Sequence, residues 1–236
     1  MIKIRKSDSR GKTKLSWLNS NHSFSFGTYY NPNYKNFESL KVINEDIIEP
    51  DSGFAPHPHQ NMEILTYVVN GTLTHKDSEG NGSTIRGDDV QLMSAGSGIV
   101  HSEYNISKKK PAHILQIWFL PDKLNTTPNY QQKSIDNAEK NNQFCLIASK
   151  QGRDNSLILN QDVDVYTALI SRGQILNYKP RNNCKIWIQI IKGKVSLKDS
   201  ILQSGDGASI TDEKKIEFTA LRNTELLIFD LKPLET

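Results

Sequence analysis

Histidine is missing from more than half of the chain. All six, at positions 22, 57, 59, 75, 101 and 113, precede residue 114 of 236. Cysteine is scarcer still: Cys145 and Cys184 stand in unrelated contexts, which excludes a disulfide-stapled scaffold and leads us to expect reduced thiols in a cytoplasmic protein. No apolar stretch exceeds strand length, and the opening MIKIRKSDSRGK has no apolar signal segment, so neither a membrane span nor a secretory leader is expected. An excess of one charge is also lacking. Lys plus Arg number 29 against 26 Asp plus Glu, a net of +3, and only Lys108-Lys109-Lys110 form a run, which speaks against nucleic acid as a partner. Long amphipathic helices are absent too, because no segment sustains a 3.6-residue apolar period. With 36% apolar and 23% charged residues, the composition excludes a disordered chain. A chain this long buries a core without a metal staple, so any metal site would serve function.

What the chain does contain is short extended segments. Leu40 to Asn44, Ile64 to Val69, Asp89 to Met93, Ile114 to Leu120, Lys185 to Ile191, Ala208 to Thr211 and Leu226 to Leu231 are rich in β-branched and aromatic residues. Asn70-Gly71, Glu79-Gly80-Asn81-Gly82 and Gly205-Asp206-Gly207 bound them and predict hairpins. Residues 121–142 are polar and rich in Pro and Asn, which predicts a connection between two domains.

An internal repeat sets the architecture. The run from Val68 to Ser78 aligns without gaps on the run from Ile190 to Ser200, and a glycine-acid turn follows each, at Gly87-Asp88 and Gly205-Asp206. A final apolar strand ending in proline recurs at 113–121 and 225–233. Two copies of one β unit predict an all-β protein of two jelly-roll barrels, with domains at 1–125 and 126–236, since closure hides strand edges. At the same offset His57-Pro58-His59 falls on Lys179-Pro180-Arg181, so metal chemistry is expected in the first domain alone.

Two motifs carry that chemistry, His57-Pro58-His59 and His101-Ser102-Glu103. Side chains at i and i+2 of a strand share a face, so each motif projects two ligands in one direction. Three imidazoles and a carboxylate suit a divalent transition metal rather than calcium or magnesium, which prefer oxygen alone. Ser94-Ala95-Gly96-Ser97-Gly98 lacks the lysine and the strand-to-helix setting of a phosphate cradle, and is read as the tight turn that delivers His101. His75 is expected at the surface or in packing, because its repeat counterpart is Leu197. His22 is read as structural, and His113 as a hydrogen-bonded core histidine.

The runs HPHQNMEILTYVVNG at 57–71 and GDDVQLMSAGSGIVHSEYN at 87–105 resemble the two metal motifs of the cupin superfamily in the form used by the pirin family. HSFSFGTYYNPNY at 22–34 and KVINED at 41–46 are also pirin-like, and the similarity extends over nearly the whole chain. The resemblance implies a bicupin fold and one metal held by His57, His59, His101 and Glu103. Iron(II) is the expected ion, with copper, nickel, manganese, cobalt or zinc as alternatives. In many cupins the first motif supplies a glutamate at the place of Glu63. Pirins draw theirs from the second, which leaves Glu63 as a group beside the ligands or at a strand end. The implied activity is that of a quercetin 2,3-dioxygenase, opening the heterocyclic ring of a flavonol with O₂, with Glu103 as general base and Phe54, Ile64 and Met93 as apolar walls. The alternative the family offers is a non-catalytic regulator whose redox-active metal tunes binding to a transcription factor or enzyme. A monomer is expected.

Overall fold

The computed structural model describes residues 1–234 as two β units, each a sandwich of a larger and a smaller antiparallel sheet. One unit comprises Gly11–Ser134 and Leu157–Gln161; the other comprises Met1–Arg10, Ile135–Ser156 and the chain from Asp162 onward. The division expected at 125/126 differs from these units at both ends, and strand pairing supplies the reason. Ile2–Arg5 pairs with Gly207–Ile210, which draws the N-terminus into the second unit. Asn129–Ser134 pairs with Asp89–Ser94, which keeps residues past 125 in the first. The connection expected over 121–142 therefore contains a strand, and also a one-turn helix, Asn137–Lys140, whose Asp136 and Glu139 form a capping box.

In the first unit the large sheet runs in the order Asn129–Ser134, Asp89–Ser94, Glu63–Asn70, Ala112–Phe119, Leu40–Ile48, Leu18–His22, Gly11–Lys14. Its small sheet runs Ser52–His59, Ile99–Asn105, Thr72–Asp77, Gly82–Arg86. The second unit repeats both plans: Gly207–Ile210, Lys185–Lys192, Thr224–Leu231, Val163–Ile170 in one sheet, and Ile175–Tyr178, Ile216–Ala220, Lys194–Leu197, Ser200–Gln203 in the other. The expected duplication of an all-β, jelly-roll unit is thus present strand for strand. Buried apolar side chains alternate inward in both units, with Leu73, Ile85, Val68 and Ile114 in the first and Ile188, Val195, Phe218 and Ile228 in the second.

Two of the expected hairpins are corners instead. Glu63–Asn70 and Thr72–Asp77 lie in different sheets, so Asn70-Gly71 carries the chain across the sandwich. Gly71 has φ +88°, and a Cβ there would sit 2.8 Å from the Ala112 backbone; its repeat counterpart Gly193 has φ +95° and would meet Thr224 Cα at 2.6 Å. A left-handed conformation and a close backbone approach require glycine at both. Gly205-Asp206-Gly207 is likewise a corner, whereas Glu79 to Gly82 does close a hairpin, between Thr72–Asp77 and Gly82–Arg86. The strand expected to stop at Asn44 continues to Ile48, because Glu45 and Asp46 take part in pairing with Leu115 and Ile114. No helix among the described residues is long and apolar enough to cross a membrane.

Candidate metal centre

His57 and His59 lie on the edge strand Ser52–His59, and His101 and Glu103 on its neighbour Ile99–Asn105. The turn Ala95–Gly98 precedes the second strand, closed by Gly98 N–H donating to the Ala95 carbonyl at 2.9 Å. In register His101 faces His57, but Glu103 faces Phe54, so the first strand carries an extra residue at Ala55-Pro56. Proline, which has no N–H to give the ladder, belongs at such a bulge.

The pairing brings three imidazoles together. Ring centroids of His57 and His101 are 4.5 Å apart, of His57 and His59 4.8 Å, and of His59 and His101 5.0 Å. One ligand atom from each lies within 4.8 Å of the others. Glu103 falls in a second trio at that spacing, with His101 and His75. The four residues named from sequence thus meet as two overlapping groups that share His101.

Hydrogen bonds fix which nitrogen each ring presents. His57 Nδ1 donates to the Ala55 carbonyl at 2.8 Å, leaving the lone pair on Nε2. His75 Nε2 lies 3.1 Å from Asp77 Oδ2, so His75 carries its proton there and offers Nδ1 as acceptor to His101 Nδ1, 3.5 Å away. His101 then presents a bare Nε2. That atom and His59 Nε2 are buried without a hydrogen-bond partner among the described residues. Burial and the mutual repulsion of the rings hold His59 neutral down to about 4 and His101 down to about 3. Buried lone pairs on neutral imidazoles are what a transition metal takes up, and this donor set fits one.

Glu103 is buried and heavily solvated by protein. Its Oε1 accepts from Gln91 Nε2 at 2.8 Å and Thr66 Oγ1 at 3.3 Å, and its Oε2 accepts from Gln116 Nε2. Burial nevertheless pushes its carboxyl up to about 7, against the opposing pull of those donors and with the help of nearby Asp46. Asp46, on Leu40–Ile48, is pushed up to about 7 by burial as well, with a hydrogen bond from Ser20 opposing.

These groups open onto a cavity of about 420 Å³ in the first unit, a size typical of small-molecule sites, roughly 300–1,000 Å³. Phe54 lines it as expected, together with Trp17, Phe26 and Trp118. Ile64 and Met93, expected as walls, instead pack in a core cluster with Ala95 and Ile99.

The remaining histidines depart from expectation to differing degrees. His75 is in packing, one of the two places expected for it, fully buried and stacked 4.7 Å from the Tyr130 ring. Its contact with His101 was not expected, because its repeat counterpart Leu197 has no polar group to make one. The motif His75-Lys76-Asp77, with the same i, i+2 parity as the other two, was the available signal. His22 is buried and structural, with Nδ1 2.7 Å from Asn44 Oδ1 and Nε2 2.8 Å from Thr13 Oγ1, and it also borders the cavity. His113 is hydrogen-bonded as expected, to Glu45 at 3.0 Å, but it is half-buried rather than in the core. Glu63 opens its strand and accepts from Ser94 and from both the backbone and side-chain nitrogens of Asn160, the strand-end role. In the second unit, Arg181 at the place of His59 is bound by Asp162, Asp164 and Asp230, so a fixed cation and carboxylates occupy that region.

Comparison with known proteins agrees with this geometry. The Pirin family model matches residues 3–119, and a model described as the quercetinase C-terminal cupin domain matches 146–231. The chain is 41% identical over 234 residues to a quercetin 2,3-dioxygenase of Escherichia coli K12, covering 99% of this chain and all of that one. It is 38% identical over 232 residues to a pirin-like protein of Caulobacter vibrioides, covering 98% and 99% of the two chains. A crystal structure of the bacterial pirin YhhW from E. coli in complex with nickel(II) superposes with a TM-score of 0.94 at 40% identity, covering 99% of this chain and 100% of that one. The chain, with its duplicated cupin units and its histidine-lined cavity in the first, belongs to the pirin family.

Proposed function

We propose that this protein is a metal-dependent dioxygenase acting on flavonol-like phenols, with the metal held by His57, His59, His101 and Glu103. The observation that carries the reading is the pair of buried Nε2 atoms of His59 and His101, without hydrogen-bond partners among the described residues, beside His57 at the wall of an aromatic-lined cavity. The quercetin 2,3-dioxygenase name of the E. coli relative and the nickel(II) in its solved pirin structure support it. A bound divalent ion supplies Lewis acidity toward the adjacent hydroxyl and carbonyl oxygens of a flavonol and lowers the pKa of that hydroxyl.

The protein's own residues do the rest. His75, anchored to Asp77, orients His101 and keeps its proton on Nδ1, as partners of metal-bound histidines commonly do. Glu103, a buried carboxylate on the cavity wall, is the general base for the substrate hydroxyl. Thr66, Gln91 and Gln116 hold that carboxylate in place before and after it takes the proton. Trp17, Phe26, Phe54 and Trp118 exclude water around a flat aromatic ligand. The net reaction adds both atoms of O₂ to the flavonol and releases one carbon of its heterocycle as carbon monoxide.

Metal content and O₂ uptake test the reading together. Protein loaded with nickel or iron should consume O₂ when quercetin is added, and His101→Ala should lose both metal and turnover. Turnover unchanged in that variant would remove the assignment.

A further inference from the structure

Three buried polar atoms on the cavity wall have no hydrogen-bond partner among the described residues: His59 Nε2, His101 Nε2 and Asp46 Oδ1. The two nitrogens are accounted for by a metal. Asp46 Oδ1 is not. Its carboxyl group receives one hydrogen bond, from Ser20, and the side chain is 2% exposed. A buried carboxyl oxygen left without a donor costs stability, and in native proteins such an atom calls for an explanation.

Its polar neighbours on the same wall are already engaged. Asn44 Oδ1 is held by His22, which is held in turn by Thr13. Gln116 donates to Glu103 and accepts from Trp118 Nε1 at 3.4 Å. Asp46 Oδ1 is therefore an open acceptor among the groups that line the cavity. Its strand position explains why an acid sits there: Asp46 pairs with Ile114 in the middle of the large sheet, where a solvent-facing role is closed to it.

We propose that Asp46 is a specificity-determining residue of the substrate pocket, accepting a hydrogen bond from a ring hydroxyl of a polyhydroxylated phenol. The hydroxyl is one other than the oxygen pair that faces the metal. The site thereby selects flavonols bearing additional hydroxyls over the bare flavonol skeleton. A pocket that hydrogen-bonds a substrate hydroxyl discriminates strongly against an analogue lacking it, because the buried acceptor is then left unpaired. This inference rests on the flavonol reading above.

The test is anaerobic equilibrium binding to the nickel-loaded protein, which needs no turnover. The two probes are quercetin and 3-hydroxyflavone; the latter keeps only the 3-hydroxyl and 4-carbonyl. Asp46→Leu removes the acceptor while keeping the branched heavy-atom skeleton, and Asp46→Asn keeps a carbonyl that can still accept. Wild-type protein should prefer quercetin. Asp46→Leu should weaken quercetin binding by roughly 10-fold or more, the scale of one hydrogen bond to a carboxylate, while leaving 3-hydroxyflavone within about 2-fold. Asp46→Asn should recover part of the loss, which a purely structural defect would not allow. An equal loss for both ligands, or an unchanged preference in both variants, would overturn the inference. Failure of the dioxygenase reading looks different: quercetin binds with the Asp46-dependent preference, yet no O₂ is consumed when air is admitted. Absence of binding by either ligand to the wild-type protein overturns both.

Discussion

Replacing His75 by phenylalanine isolates the contact that ties Asp77 to the candidate metal centre. Phenylalanine keeps an aromatic ring against Tyr130, now stacked at 4.7 Å, but removes the acceptor that faces His101 Nδ1 at 3.5 Å. Asp77 remains satisfied, since Oδ1 accepts from the backbone N–H groups of Glu79 and Asn81, at 3.0 and 2.9 Å, and the Asn81 side chain also donates to it. What changes is His101. Its Nδ1–H becomes a buried donor without an acceptor, and the tautomer that bares Nε2 loses its support. Loss of such an outer partner commonly weakens metal affinity by 10- to 100-fold, which corresponds to about 1.4–2.8 kcal/mol. Competition between the protein and a chelator of known affinity for nickel(II) measures it directly. His75→Phe should raise the Kd by that factor, beyond any loss of stability that chemical denaturation of the metal-free protein records. An unchanged Kd would refute the role given to His75, and a Kd that rises only in step with lost stability would reduce it to packing.

Three further outcomes follow from the same geometry. In the metal-free protein Glu103 titrates near 7 and is protonated at pH 6, so metal binding at pH 6 must expel that proton, whereas at pH 8 it is already gone. Calorimetry in buffers of different ionisation enthalpy should therefore show about one more proton released at pH 6 for the wild type than for Glu103→Gln, and no such difference at pH 8; equal release at pH 6 would contradict the assignment. In the pH range from about 4 to 6.5, where His59 stays neutral in the folded chain and gains a proton when unfolded, this residue makes the folded state gain stability as pH rises. Denaturation midpoints of His59→Phe relative to wild type across that window should show the contribution disappear, and an unaltered pH slope would count against it. Gly71→Ala meets both a left-handed φ of +88° and a Cβ only 2.8 Å from the Ala112 backbone, whereas Gly80, at φ +90°, has open space around it. Gly80→Ala should cost about 1 kcal/mol and Gly71→Ala clearly more, as read by urea denaturation; equal costs would mean that the corner relaxes freely.

The fold was largely legible because its evidence is periodic. Gly71 and Gly193 mark the same corner in two copies, and the strand order of one unit reproduces the other. The errors share a physical origin, in polar residues doing buried work. Glu45 and Asp46 made the strand from Leu40 look finished, although one binds His113 and the other faces the cavity. Gln131 and Gln132 disguised Asn129–Ser134 as linker, although their backbone completes the sheet beside Asp89–Ser94. The contact of His75 with His101 was hidden by the repeat itself, since Leu197 fills the same place with an apolar side chain. Ile64 and Met93 failed as cavity walls for a simpler reason. They alternate to the other face of their strands, where Ala95 and Ile99 enclose them.

In the proposed reaction the three imidazoles and Glu103 support the oxidation of a flavonol by O₂ with release of carbon monoxide. The most direct measurement is the stoichiometry of one reaction: O₂ consumed, carbon monoxide evolved and quercetin lost, in metal-analysed protein. One carbon monoxide should appear per O₂ and per quercetin, in proportion to bound metal, and none from His101→Ala. O₂ uptake that yields hydrogen peroxide without carbon monoxide, or that proceeds equally in protein stripped of metal, would contradict it.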